Sequence, residues 1–175
     1  DAALAFHWYL RAAEDRILDA MFRVGQAYLF GTGVTKDVGQ GIAWLEKASE
    51  LHDAKLRLVQ AYTGKYGGDH MNYDKAFRYS QELYAAQKSG ESSSGLSGDG
   101  VYENILLGQC YERGIGTAVD IAKAIELYSE YAETDYYACE HLGDLYAEVL
   151  NDLETAISWY NRATALESRH ERPSA

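Results

Sequence analysis

A motif of about 35 residues recurs along this chain and restricts what the chain can fold into. Small residues at Ala5, Gly41, Ala76, Ala124 and Ala156 mark its register, separated by 36, 35, 48 and 32 residues. The fullest copy is DAMFRVGQAYLFGTGVTKDVGQGIAWLEKASELHD, residues 19–53. In its first half Ala20, Val24, Ala27 and Tyr28 fall at i, i+4, i+7 and i+8, one face of an α-helix. Gly31-Thr32-Gly33 stops that helix, because glycine takes the left-handed conformation that a helix C-terminus needs. Asp37 is placed to cap a second helix, whose apolar face is Ile42, Trp44, Leu45 and Ala48. The small residues Ala27, Gly41 and Ala48 let the two backbones approach, and Tyr28 and Trp44 fill the space beside them. Such a hairpin keeps apolar surface on both flanks, so it is stable only against neighbours of its own kind.

In chain order, 1–18 is the second half of a hairpin, with Ala5, Trp8, Tyr9 and Ala12 in the places of Gly41, Trp44, Leu45 and Ala48. Full hairpins follow at 19–53, 54–86, 101–133 and 134–167. In the 54–86 copy Val59 replaces the usual glycine, Asn72 replaces the capping aspartate, and the turn is one residue longer. The 101–133 copy is regular, with Leu107, Gly108, Tyr111, Gly114, Gly116, Asp120, Ala124, Tyr128 and Ala132 in register. The last copy has a turn three residues shorter and no Gly-x-Gly. Serine and glycine dominate 87–100, which reads as a flexible inter-repeat loop, and 168–175 reads as a polar tail.

These positions resemble the Sel-one-like repeat family, relatives of the tetratricopeptide repeats. Val24, Gly25, Tyr28, Gly31, Gly33, Val34, Asp37, Trp44 and Ala48 match that family's pattern, and the likeness covers all but the loop and the tail. The resemblance implies an all-α fold, a right-handed α-α superhelix (solenoid) of about four and a half hairpins. It also implies an adaptor or scaffold role.

Composition narrows the function. Residues 1–100 hold 13 acidic and 11 basic side chains, whereas 101–160 hold 12 acidic and 2 basic. That acidic half repels phosphates and argues against nucleic acid. No apolar run is long enough to span a membrane, which argues against membrane insertion. The chain begins without methionine and inside a motif, so it reads as an excised fragment. Two cysteines are too few for a disulfide scaffold, and Cys110 sits in the small-residue slot of Ala27. Together with the lack of an N-x-S/T acceptor, this suggests a reducing, cytoplasmic setting.

Catalytic constellations are missing from the sequence. The Gly-x-Gly pairs follow helices, without a third glycine or a Walker lysine. Cys139 and His141, two apart on a helix, point to different sides and make no dyad. Asp69, His70, Asn72 and Asp74 lack the order of calcium ligands in an EF-hand loop. The expectation is therefore no enzyme, no cofactor and no metal.

In stacked hairpins the first helices line a concave face, and their residues off the packing side face a partner. Spacing selects Phe22, Gln26, Phe30, Gln60, Tyr102, Gln109, Glu112, Tyr137, Glu140 and Asp144, together with Leu29, Thr63, Ile105 and Glu148. Recurrent Gln26, Gln60 and Gln109 suit an extended peptide backbone, since an amide both donates and accepts. The expected partner is a protein or peptide, of basic character at the acidic 101–160 half. The alternative is a structural spacer, or self-association through exposed repeat ends such as Phe6 and Trp8.

Overall fold

The described residues form helices, and successive helices pack on one another within each of two units. The computed structural model describes residues 1–90 and 101–170, and these hold nine α-helices and no strand. They are α1 (Ala2–Glu14), α2 (Leu18–Phe30), α3 (Val38–Lys47), α4 (His52–Tyr62), α5 (Tyr73–Ser89), α6 (Val101–Arg113), α7 (Ile121–Ser129), α8 (Tyr136–Asp144) and α9 (Leu153–His170). The chain divides into two compact units, Asp1–Gly98 and Asp99–Ala175. In the first, α1 packs on α2, α2 on α3, α3 on α4 and α4 on α5. In the second, α6 packs on α7, α7 on α8 and α8 on α9.

Two boundaries differ from the sequence reading. Helix α5 runs to Ser89, with Gly90 as its left-handed cap (φ 76°), so 87–89 belong to a helix and not to a loop. Helix α9 continues through 168–170, which were expected in the tail. The remainder of both segments, 91–100 and 171–175, lies outside the described residues.

One backbone bond recurs in all four full hairpins and explains why turn length can vary. The cap residue's N–H donates to the carbonyl of the motif tyrosine: Asp37 to Tyr28 (2.9 Å), Asn72 to Tyr62 (3.0 Å), Asp120 to Tyr111 (2.9 Å) and Asp152 to Tyr146 (2.8 Å). The intervening chain has 8, 9, 8 and 5 residues, yet both ends are pinned alike. Each cap side chain then accepts from the N–H three residues on, at 2.9 Å for Asp37, 3.0 Å for Asn72, 2.9 Å for Asp120 and 3.1 Å for Asp152. In the short fifth turn a π-helical turn, Leu145–Val149, extends α8, and Asn151 (φ 53°) supplies the left-handed residue that glycine supplies elsewhere.

The two helices of a hairpin meet through a small residue. A methyl group on Gly25 would lie 2.8 Å from Leu45, one on Gly108 2.4 Å from the Tyr128 ring, and one on Gly143 2.5 Å from the Tyr160 ring. The third hairpin exchanges the two sizes. Val59 stands in the glycine position and Ser80 in the position of Leu45, Tyr128 and Tyr160. Both are buried, and the Ser80 hydroxyl donates to the Ala76 carbonyl (3.0 Å). Total volume at the crossing is thereby maintained, which is the kind of core change that proteins tolerate best.

Candidate functional site

The first helices α2, α4, α6 and α8 carry the residues selected by spacing, and the structure sorts them into buried, engaged and open. Phe22, expected to face a partner, is instead only 6% exposed and packs inward. Leu29 and Ile105, expected on the same face, are likewise core side chains. The α2 stripe is wider than one helical face assumed from four positions, so an apolar residue at its margin turns inward. The other selected residues reach the surface in part or in full.

In the first unit the open surface is ordered by an arginine. Phe30 is 52% exposed and meets the Tyr66 ring edge-on, with centroids 5.6 Å apart. The Arg57 guanidinium lies 5.8 Å from the Phe30 ring centroid. Its Nη1 donates to Gln60 Oε1 (3.1 Å) and to the Tyr66 hydroxyl (3.4 Å), and that hydroxyl donates to Gln60 Oε1 (2.7 Å). One hairpin earlier Arg23 shares part of this arrangement: it donates through Nη1 to Gln26 Oε1 (3.5 Å), but the ring 5.9 Å away is its buried neighbour Phe22, and no tyrosine joins it. Arg23, Gln26 and Phe30 also line a cleft of about 300 Å³ with Ala5, Phe6 and Tyr9 of α1. Spacing alone passed over Arg23, Arg57 and Tyr66. The available signal was Arg-x-x-Gln at the same register in both hairpins.

On the second-helix side of this unit, Glu46 of α3 joins α4 and α5. It accepts from Tyr62 Oη (2.6 Å) and Lys75 Nζ (2.6 Å). Burial raises the Glu46 pKa, but the hydrogen bonds from Lys75 and Tyr62 outweigh it and hold the carboxyl below its usual value. Burial, together with the Glu46 bond, pushes the Tyr62 phenol up to about 12.

The second unit uses different chemistry at equivalent positions. Glu112 accepts from Tyr128 Oη (2.7 Å), and Asp144 accepts from Tyr160 Oη (2.8 Å). Tyr128 and Tyr160 thus each span their hairpin with the ring over a glycine and the hydroxyl on a carboxylate. His141 stacks on Tyr128, with centroids 4.9 Å apart, and its Nε2 lies 3.3 Å from the Gln109 amide nitrogen. Burial lowers the His141 pKa, against the raising influence of Glu112, Asp144 and Glu140. Burial thus favours the neutral imidazole, and the Gln109 amide nitrogen faces its Nε2. Cys139 points elsewhere: it is buried and donates to the Ala132 carbonyl (3.1 Å), apart from His141. Tyr102 is half-buried, whereas Tyr137 (53% exposed), Glu140, Asp144 and Glu148 are open. The only two basic residues of 101–160 are committed locally, Arg113 to Glu112 (3.5 Å) and Lys123 to Glu126 (2.9 Å). Among the described residues neither Glu140 nor Glu148 has a cation within ion-pairing distance.

Stacked pairs of antiparallel helices with a glycine-centred crossing define an α-α superhelical repeat protein. The Sel1 repeat model matches residues 1–15, 18–53, 61–86, 104–133 and 137–168, and the chain belongs to the Sel1 repeat family. Solved structures of the same fold include a Sel1 repeat protein from Oxalobacter formigenes. It is 24% identical with a TM-score of 0.71, over 94% of this chain and 65% of that one. A protective antigen of uropathogenic Escherichia coli that displays an SLR fold is 22% identical with a TM-score of 0.71, over 99% of this chain and 38% of that one. Among curated proteins, chitin synthase regulatory factor 3 of Schizosaccharomyces pombe is 28% identical over 141 residues. The match takes in 75% of this chain and only 14% of that protein. Sel1 repeats are generally protein-interaction scaffolds and typically non-enzymatic. No helix among the described residues is long and apolar enough to cross a membrane.

Proposed function

We propose that the protein is an adaptor whose first-helix surface binds a protein or peptide, and that the second unit takes a partner of basic character. The observation that supports this most is the row Glu140, Asp144 and Glu148 along α8 and its π turn. All three are exposed, Glu140 and Glu148 have no cation within ion-pairing distance among the described residues, and the open Tyr137 ring stands on the same helix. Carboxylates left in water attract lysine and arginine side chains and orient their approach, while an exposed aromatic ring offers apolar area to the partner. Charge reversal at Glu140 and Glu148 tests the reading without disturbing Tyr128 or Tyr160. The double variant Glu140→Lys/Glu148→Lys loses at least about tenfold in affinity for a lysine-rich peptide pool, a loss of about 1.4 kcal/mol. Unchanged affinity would remove the electrostatic part of the proposal.

A second reading, self-association through repeat ends, is favoured by one observation. Leu4 and Trp8 are exposed four residues apart on α1, and Leu153 and Ile157 likewise on α9. Sedimentation velocity across concentrations tests it. A sedimentation coefficient that rises with concentration, and ceases to rise in Trp8→Ser, supports it.

A further inference from the structure

We infer that the first-helix face of the Asp1–Gly98 unit is a carboxylate-reading surface for an acidic, extended peptide. Arg23 and Arg57 are the two readers. This rests on the first-helix face being the binding face but assigns the first unit a partner chemistry opposite to that of the second.

A guanidinium has five N–H donors, and its Nε–Nη2 edge matches a carboxylate with two parallel bonds. Among the described residues the hydrogen bonds of both arginines use Nη1 alone. Neither has a carboxylate within ion-pairing distance among the described residues. The Nε–Nη2 edge is therefore open in each. The guanidiniums are also held in place. Gln26 and Gln60, three residues on, accept from them, and the Phe22 and Phe30 rings lie within 6 Å. Arg57 is held further by the Tyr66 hydroxyl. An arginine ordered before binding loses less conformational freedom when a ligand arrives.

Repetition sets the ligand's spacing. Arg23 and Arg57 occupy the same register on successive first helices, α2 and α4. Phe30 of α2 links the two positions, lining the cleft beside Arg23 and lying 5.8 Å from the Arg57 guanidinium. An extended chain advances about 3.3 Å per residue, so two carboxylates about three residues apart, Glu-x-x-Glu, are the spacing assigned to the ligand. Beside Arg23, the cleft lined by Phe6, Gln26 and Phe30 accommodates an apolar side chain next to the carboxylate. In the second unit the equivalent register holds Leu106, which is buried, and His141, which stacks on Tyr128. The arginine ladder belongs to the first unit alone.

The test uses the whole chain and fluorescence anisotropy with a labelled pool of peptides about ten residues long. Two glutamates are fixed three apart, and the other positions are randomised without charge. Expected are saturable binding below about 1 mM and a marked weakening as salt rises past the screening range of about 0.1 M. The matching pool with glutamine at both positions binds at least tenfold more weakly. Arg57→Gln and Arg23→Gln each lower affinity at least about tenfold, whereas Arg57→Lys retains the charge, loses the fork and falls between. Thermal unfolding of each variant near that of the parent shows that the fold is intact. Equal binding of the glutamate and glutamine pools, or no binding at about 1 mM, overturns the inference. Binding that ignores both arginine substitutions also overturns it, while leaving the first-helix face of the second unit untouched. Concentration-dependent self-association that disappears in Arg23→Gln/Arg57→Gln would make a second copy the occupant, and it too contradicts the assignment to a separate acidic peptide. The basic-partner proposal is read with the lysine-rich pool and Glu140→Lys/Glu148→Lys, and this inference with the glutamate pool and the arginine variants, so the two failures are separate results.

Discussion

The two units are built from the same hairpin but use it differently. In the second, a tyrosine ring fills the crossing, and its hydroxyl ties the hairpin to a carboxylate on the first helix. In the first, the crossing is filled by Leu45 against Gly25, or by Val59 with Ser80, and the polar tie is displaced outward to Glu46, Tyr62 and Lys75. The difference reaches the surface. Tyrosine hydroxyls in the second unit engage Glu112 and Asp144 beside a row of open acids, whereas glutamines in the first engage Arg23 and Arg57. A repeat can therefore preserve its backbone while the residue facing its glycine decides what the neighbouring surface position is free to do.

The sharpest way to break this comparison is to force one unit's crossing onto the other. Gly108→Val places a branched side chain where even a methyl group would come within 2.4 Å of the fully buried Tyr128. The expected loss is about 3 kcal/mol, read from the urea midpoint. Adding Tyr128→Ser reproduces the Val59–Ser80 arrangement and recovers part of that loss, although Tyr128→Ser alone is itself destabilising by about 3 kcal/mol. Losses that simply add would refute the size-exchange account. Gly143→Val is milder, at about 1–2 kcal/mol, because Tyr160 is 37% exposed and its ring can swing outward. Glu46→Ala in the first unit costs about 1 kcal/mol, since Lys75 and Tyr62 lose their common acceptor in a partly solvated place.

Acid should separate the units as well. The His141 pKa lies below 6.5 in the folded protein, so the unfolded chain binds the proton more readily. Its contribution is complete above pH 6.5 and is lost as pH falls through the folded value. Glu46 titrates below 4.5, and its contribution persists until more acidic pH. Hydrogen-exchange protection, corrected for the slower intrinsic exchange in acid, is expected to fall in α6–α8 before α3–α5 as pH drops from 7 to 5. His141→Gln removes that difference. This is the smallest of the expected effects.

Much of this architecture was legible in one sequence because the signals are local. Glycine at Gly31 and Gly114 ends helices, aspartate at Asp37 and Asp120 starts them, and the spacing of Ala124 and Ala156 sets the register. Surface assignment was weaker. Phe22, Leu29 and Ile105 were expected to face a partner and are buried, because the width of a helix's buried stripe depends on what packs against it. Arg57 was missed because its role comes from Phe30, Gln60 and Tyr66 converging from two hairpins, which no single motif displays. The end of α5 was misplaced by three residues because Gln87 and Lys88 favour helix, and Gly90, not the start of the serine run, supplies the cap.

The central claim is that the two first-helix faces read opposite charge. Hydrogen exchange footprinting of the same protein with the Glu-x-x-Glu pool and, separately, with the lysine-rich pool measures this directly. Protection of α2 and α4 by the acidic pool and of α6 and α8 by the basic pool is the predicted result. Protection of the same unit by both pools, or of the second helices α3, α5 and α7, would contradict it.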